Sequence, residues 1–72
     1  MGDEITLDEL REGAVFVTRE GIFAVKSEYH LTNGQCECVL LASGEYAHFP
    51  DKNQTLVREV YVPGFQEAQA NV

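Results

Sequence analysis

Asn33-Gly34 narrows the fold of this chain more than any other pair of its residues, because both tolerate the positive φ that a tight β-hairpin turn demands. Similar punctuation recurs at Glu20-Gly21, at Ser43-Gly44 and in the polar run Asp51-Lys52-Asn53-Gln54, roughly eight to twelve residues apart, which is the spacing of an all-β sandwich or barrel. The segments between are rich in Val, Phe, Tyr, Thr and Ile, which pack well on a pleated surface. The sequence therefore predicts five short strands, over 14–19, 22–29, 35–42, 45–50 and 55–62, joined as an antiparallel meander.

Ahead of the strands, residues 5–13 read as one short helical turn. Thr6 can cap it, Glu9 three residues later completes a capping box, and Gly13 can end it in a left-handed conformation. Pro63-Gly64 closes the last strand, since proline cannot donate to a ladder. The expected organisation is a single small β-barrel domain over 1–62 and a flexible C-terminal tail over 63–72.

A domain of 72 residues buries only about 60% of the surface its unfolded chain exposes, so a staple such as a metal, a disulfide or a partner subunit is worth seeking. No apolar run reaches the roughly 18 residues of a membrane span, and the N-terminus "MGDEITLDEL" is acidic, unlike a signal peptide. A cytoplasmic protein with free thiols is expected. Twelve acids against five bases leave a net charge of −7, and Arg11, Arg19, Lys26, Lys52 and Arg58 are scattered, which argues against binding nucleic acid through its phosphates or an anionic membrane. The same acidity would suit a basic protein partner.

Cys36 and Cys38 stand one residue apart, and the two histidines, His30 and His48, bracket them. On a regular strand residues i and i+2 share a face about 6.6 Å apart. That is too far for a disulfide, whose Cβ atoms lie about 3.8 Å apart, but compatible with half of a zinc site. The turns decide whether a histidine joins them. A two-residue turn at Asn33-Gly34 pairs Leu31 with Cys36, His30 with Glu37 and Tyr29 with Cys38, turning His30 away from the thiols. A two-residue turn at Ser43-Gly44 pairs Val39 with His48 and Cys38 with Phe49; a three-residue turn with a bulged glycine would instead put His48 opposite Cys38. In the first register one face collects Phe23, Val25, Tyr29, Leu31, Cys36, Cys38, Leu40, Ala42, Ala47 and Phe49, and the other Lys26, Glu28, His30, Glu37, Tyr46 and His48. That separation favours structural thiols, no metal and no cofactor.

Glu28, His30, Glu37 and His48 could serve acid–base chemistry, but no nucleophile motif, Gly-rich phosphate loop, HExxH or CxxC accompanies them. More suggestive are Ile22, Val39, Leu41 and Tyr46, which this register turns outward as an apolar strip with His48 on the same face; such strips mark contact surfaces. The fifth strand, over 56–62, offers a further edge for strand addition.

Strand number and length over 14–62, the opening "LREGAVF" and the hairpin "LLASGEYAHF" together resemble a small SH3-like barrel. Folds of that kind host unrelated functions, so the resemblance implies architecture alone. A barrel of this size leaves little room for a pocket of the about 300 Å³ that substrates use. The expectation is a non-enzymatic, acidic protein-interaction module, an accessory protein of a bacterium, phage or mobile element, binding a protein partner or a second copy of itself through the Ile22, Val39, Leu41, Tyr46, His48 strip. The alternative is a small zinc-binding domain using Cys36 and Cys38 with His48 or His30.

Overall fold

The computed structural model describes residues 3–49 and 51–61. The expected tail 63–72, Pro50 and Val62 lie outside the described residues. Among the described residues the chain is almost entirely β: β1 (Ile5–Thr6), β2 (Val15–Thr18), β3 (Phe23–His30), β4 (Cys36–Leu40), β5 (Tyr46–Ala47) and β6 (Leu56–Val60), with one 3-10 turn, Asp51–Asn53, between β5 and β6. They form one antiparallel sheet in the order β1-β6-β2-β3-β4-β5.

Two expectations change at this level. The sheet has six strands rather than five, because Ile5 and Thr6, read as helical, pair with Val57 and Leu56 of β6. It is also open rather than a closed barrel, with β1 and β5 as its edges. The edge expected at the last strand is partly covered, since β6 lies between β1 and β2. The capping box forms, but around a turn instead of a helix. The Thr6 amide and hydroxyl donate to Glu9 Oε1 (3.1 and 3.0 Å), the Glu9 amide donates back to Thr6 Oγ1 (3.2 Å), and the Glu9 and Leu10 amides reach the Thr6 carbonyl. These bonds hold the Glu9 carboxyl below the usual carboxylate range, the backbone donor being the main cause.

The hairpin loops set the faces of the sheet. At the β2–β3 loop the Gly21 amide donates to the Thr18 carbonyl and the Thr18 amide to the Ile22 carbonyl; at β3–β4 the Gly34 amide donates to the Leu31 carbonyl and the Leu31 amide to the Gln35 carbonyl. Both are three-residue loops, a type I turn followed by a glycine at φ 89° or 90°. Gly34 is therefore the last of three loop residues, where the expected register makes it the second of two. That single step reverses β3, because side chains alternate with period two. Ala24 and Lys26 face the core, while Phe23 and Val25 face away.

The expected pairs of Leu31 with Cys36, His30 with Glu37 and Tyr29 with Cys38 are replaced by His30 with Cys36 and Lys26 with Cys38. A bulge accommodates the difference, three β3 residues (27–29) standing against the single Glu37. Ser27 bridges it, its hydroxyl donating to the Glu37 carbonyl (2.6 Å) and accepting from the Tyr29 amide (3.1 Å).

The β4–β5 loop spans four residues, 41–44, with the Leu40 amide on the Glu45 carbonyl and the Gly44 amide on the Leu40 carbonyl. Cys38 consequently lies opposite Ala47, and neither Phe49 nor His48. Four residues keep the parity of two, so the faces expected for β4 and β5 are retained.

The core lies between the sheet and the segments that fold over one of its faces. Phe16, Ala24, Cys36, Cys38 and Val57 point into it from the strands; Leu7, Leu10, Ala14 and Phe49 cover them, with Ile5, Leu40 and Ala47 at the margin. Each fully buried Leu, Val or Phe contributes about 1.5–3 kcal/mol relative to exposure. Phe16 and Phe49 meet edge to face, ring centres 5.7 Å apart.

Two buried polar residues fasten the cover. Lys26, 5% exposed, extends from β3 and donates to the carbonyls of Leu7 (2.8 Å), Asp8 (3.3 Å) and Leu10 (2.5 Å). Asn53 accepts from the Cys36 amide (2.9 Å), donates to the Gly34 carbonyl (2.8 Å), and through its own carbonyl receives the Asp8 amide (2.8 Å).

Candidate docking face

The reversal of β3 gathers apolar residues on the face away from the core. The register makes one continuous row across five strands: Val60 opposite Val15, Val15 opposite Val25, Val25 opposite Val39, and Val39 opposite Tyr46. A second row runs beside it, Arg58 opposite Val17 and Val17 opposite Phe23, with Leu41 joined to Phe23 by a backbone hydrogen bond of 3.1 Å. Phe23, Leu41 and Tyr46 are 47%, 48% and 65% exposed. Large apolar groups so placed form a contiguous patch of the kind that marks a contact surface.

Of the strip expected from the sequence, Val39, Leu41, Tyr46 and His48 lie on this face, His48 at its corner. Ile22 does not. It precedes β3 with the parity of Ala24, and Phe23 takes the place it was expected to hold. Phe23, Val25 and Val17 were missed because a two-residue turn at Asn33-Gly34 sends β3 the other way. The signal that finds them is the alternation Val15, Val17, Phe23, Val25, Val39, Leu41 combined with three-residue loops ending in Gly21 and Gly34.

Polar groups mark two opposite corners. At the β6 end Arg58 stands beside Val17; nearby, Arg19 Nε and Nη2 donate to both carboxylate oxygens of Glu4 (2.7 and 2.9 Å). That two-point bond keeps the Glu4 carboxyl below its ordinary range and raises Arg19. These residues, with Thr18, line an open cleft of about 380 Å³ on the sheet, larger than the size of the chain led us to expect. At the other corner His48 Nε2 lies 3.6 Å from Glu37 Oε1.

The thiols belong to the core. Cys36 and Cys38 are free and buried, at 1% and 0% exposure. Burial raises the Cys36 thiol and, aided by the neighbouring Cys36, pushes Cys38 up to about 12, so both are held protonated and poorly nucleophilic. His48 is on the far side of the sheet beside Glu37. His30, expected to face away, lies opposite Cys36 in register, but its residue is exposed while Cys36 is buried. Among the described residues no group of three or more His, Cys, Asp or Glu side chains is placed to hold a metal ion. The four-residue cluster of Glu28, His30, Glu37 and His48 does not assemble either: only Glu37 and His48 are in contact.

No helix among the described residues is long and apolar enough to cross a membrane. Compared with protein-family models, curated proteins and solved structures, the chain gives no significant match.

Proposed function

We propose that this chain is a protein-interaction module that works by binding rather than catalysis, and that the outer face of its sheet, centred on Phe23, Val25, Val39, Leu41 and Tyr46, is where another protein surface docks. The observation that carries the reading is the row Val60, Val15, Val25, Val39 and Tyr46, continuous across five strands, flanked by exposed Phe23 and Leu41. A small domain gains nothing in its own stability by presenting Phe23 and Leu41 to water, whereas burial against a partner would recover about 25 cal/mol for each Å² covered. The candidate nucleophiles fit a binding role, since Cys36 and Cys38 are buried and held protonated. Meander connectivity with a short 3-10 turn before the last strand is in keeping with a small SH3-like architecture, which by itself assigns no function.

The test is site-specific photo-crosslinking in the native host, with the photoreactive residue at Leu41 or Tyr46 and, as control, at exposed Lys52 on the far turn. The reading expects discrete protein adducts from Leu41 and Tyr46 that disappear when Phe23 is changed to Ser. Equal labelling from all three positions would overturn it.

A further inference from the structure

We infer that the occupant of this face is a second copy of the chain, packed face to face about a twofold axis with the strands of the two sheets crossing near a right angle. The inference rests on the docking reading above and adds the identity of the partner. Its basis is the placement of charge around the apolar patch. Arg58 lies on β6 at the level of Phe23 and Leu41, and Glu37 lies on β4 at the opposite end of the patch, beyond Val39. Between them are three steps across the sheet and four residues along it. At about 4.8 Å per strand and about 3.3 Å per residue the offsets are about 14 Å and about 13 Å, so the line from Arg58 to Glu37 runs diagonally, near 45° to the strands.

A twofold axis lying in the face and perpendicular to that diagonal exchanges its two ends. Arg58 of one copy then meets Glu37 of the other, and the same contact repeats at the second corner, as an isologous interface requires. The apolar rows between the corners lie over one another, and strands at 45° to the axis cross at about 90°, one of the two arrangements in which β-sheets pack. Arg58 has no ion-pair partner within 4 Å among the described residues. Glu37 has only His48, at 3.6 Å. Each corner therefore presents one side chain able to make the contact.

The experiment is sedimentation equilibrium of the full chain, from about 5 to about 500 µM, with circular dichroism as a check on folding. The wild type is expected to be a monomer–dimer mixture. Arg58→Glu and Glu37→Arg, each disrupting both corners, should weaken association at least tenfold, about 1.4 kcal/mol. The double variant should restore it, because the swap recreates the opposite charges. Arg58→Gln, which leaves Glu4 and Arg19 without a new like charge, should weaken association in a chain that still folds. A wild type monomeric throughout the range, single variants that associate unchanged, or a double variant as weak as the singles would each overturn the inference. If Leu41 then crosslinks to a different protein, the docking reading stands without it; if it crosslinks to nothing, both fall.

Discussion

At Lys26 a long charged side chain is folded into the core side of a small domain, and among the described residues no carboxylate pairs with it. Its partners are the carbonyls of Leu7, Asp8 and Leu10, left without acceptor duty by a turn too short to use them. The methylene stem packs beneath the cover while the head satisfies oxygens that water would otherwise have to reach. Lys26→Met keeps the stem and removes the head. We expect a loss of about 3 kcal/mol in denaturant unfolding, since hydrogen bonds from a charged donor contribute about 1.5–3 kcal/mol each and part of that is offset by no longer desolvating the charge. An unchanged midpoint would show that the node carries no stability. Cys38, paired with Lys26 across the sheet, gives a second residue-level expectation. Its folded value is raised from 9.0 to about 12, so above pH 9 the unfolded chain ionises this thiol and the folded chain does not. Stability from this source is complete below pH 9 and declines as pH rises toward 12, on the order of 1 kcal/mol between pH 8 and 10. Cys38→Ala should show a shallower alkaline decline than the wild type; identical slopes would contradict the burial.

The elements show how one loop length propagates. A glycine at positive φ closes the loop after β2 and the loop after β3, and because each loop has three residues the faces of β3 are the reverse of those a two-residue Asn-Gly turn would give. Strand positions were legible in the sequence, because Val, Phe and Ile segments between glycines report pairing directly. Face was not legible in β3, where both Phe23-Val25 and Ala24-Lys26 are admissible inward sets until the turn is known. It was legible in β4 and β5, where four residues and two give the same parity. The turn Asp51–Asn53 was visible only as a polar run, although its three residues all adopt positive φ (60°, 47° and 74°), a conformation that costs non-glycine residues roughly 1–2 kcal/mol each. Asn53 is held there by its bonds to Cys36 and Gly34, which tie this turn to the β3–β4 hairpin. Asn53→Ala loses both bonds and keeps the strain, and should destabilise by about 3 kcal/mol; Asn53→Gly loses the bonds but not the conformational ease, and should cost about 1 kcal/mol less. Equal losses would mean that the left-handed geometry carries no penalty.

At the scale of the whole molecule the sheet has two apolar faces with different duties. One is closed by Leu7, Leu10 and Phe49 and holds the fold; the other, with Phe23 and Leu41, is left for contact. Half of the candidate site was legible: Val39, Leu41, Tyr46 and His48 follow from the parity of β4 and β5, whereas Phe23 and Arg58 depend on loop length and on strand order, which no local pattern reports. A net charge of −7 on each chain opposes self-association over distances that salt shortens to about 8 Å at physiological ionic strength, so the dimer is expected to be weak in dilute buffer and firmer near 0.15 M salt.

The division of duty between the two faces is tested most directly by the unfolding free energy of the double variant Phe23→Ser, Leu41→Ser at a concentration low enough to keep the chain monomeric. Both side chains being about half exposed, the monomer should retain its stability to within about 1 kcal/mol while association is abolished. A loss of about 4 kcal/mol or more, the signature of emptied core positions, would place Phe23 and Leu41 inside and contradict the assignment of the faces.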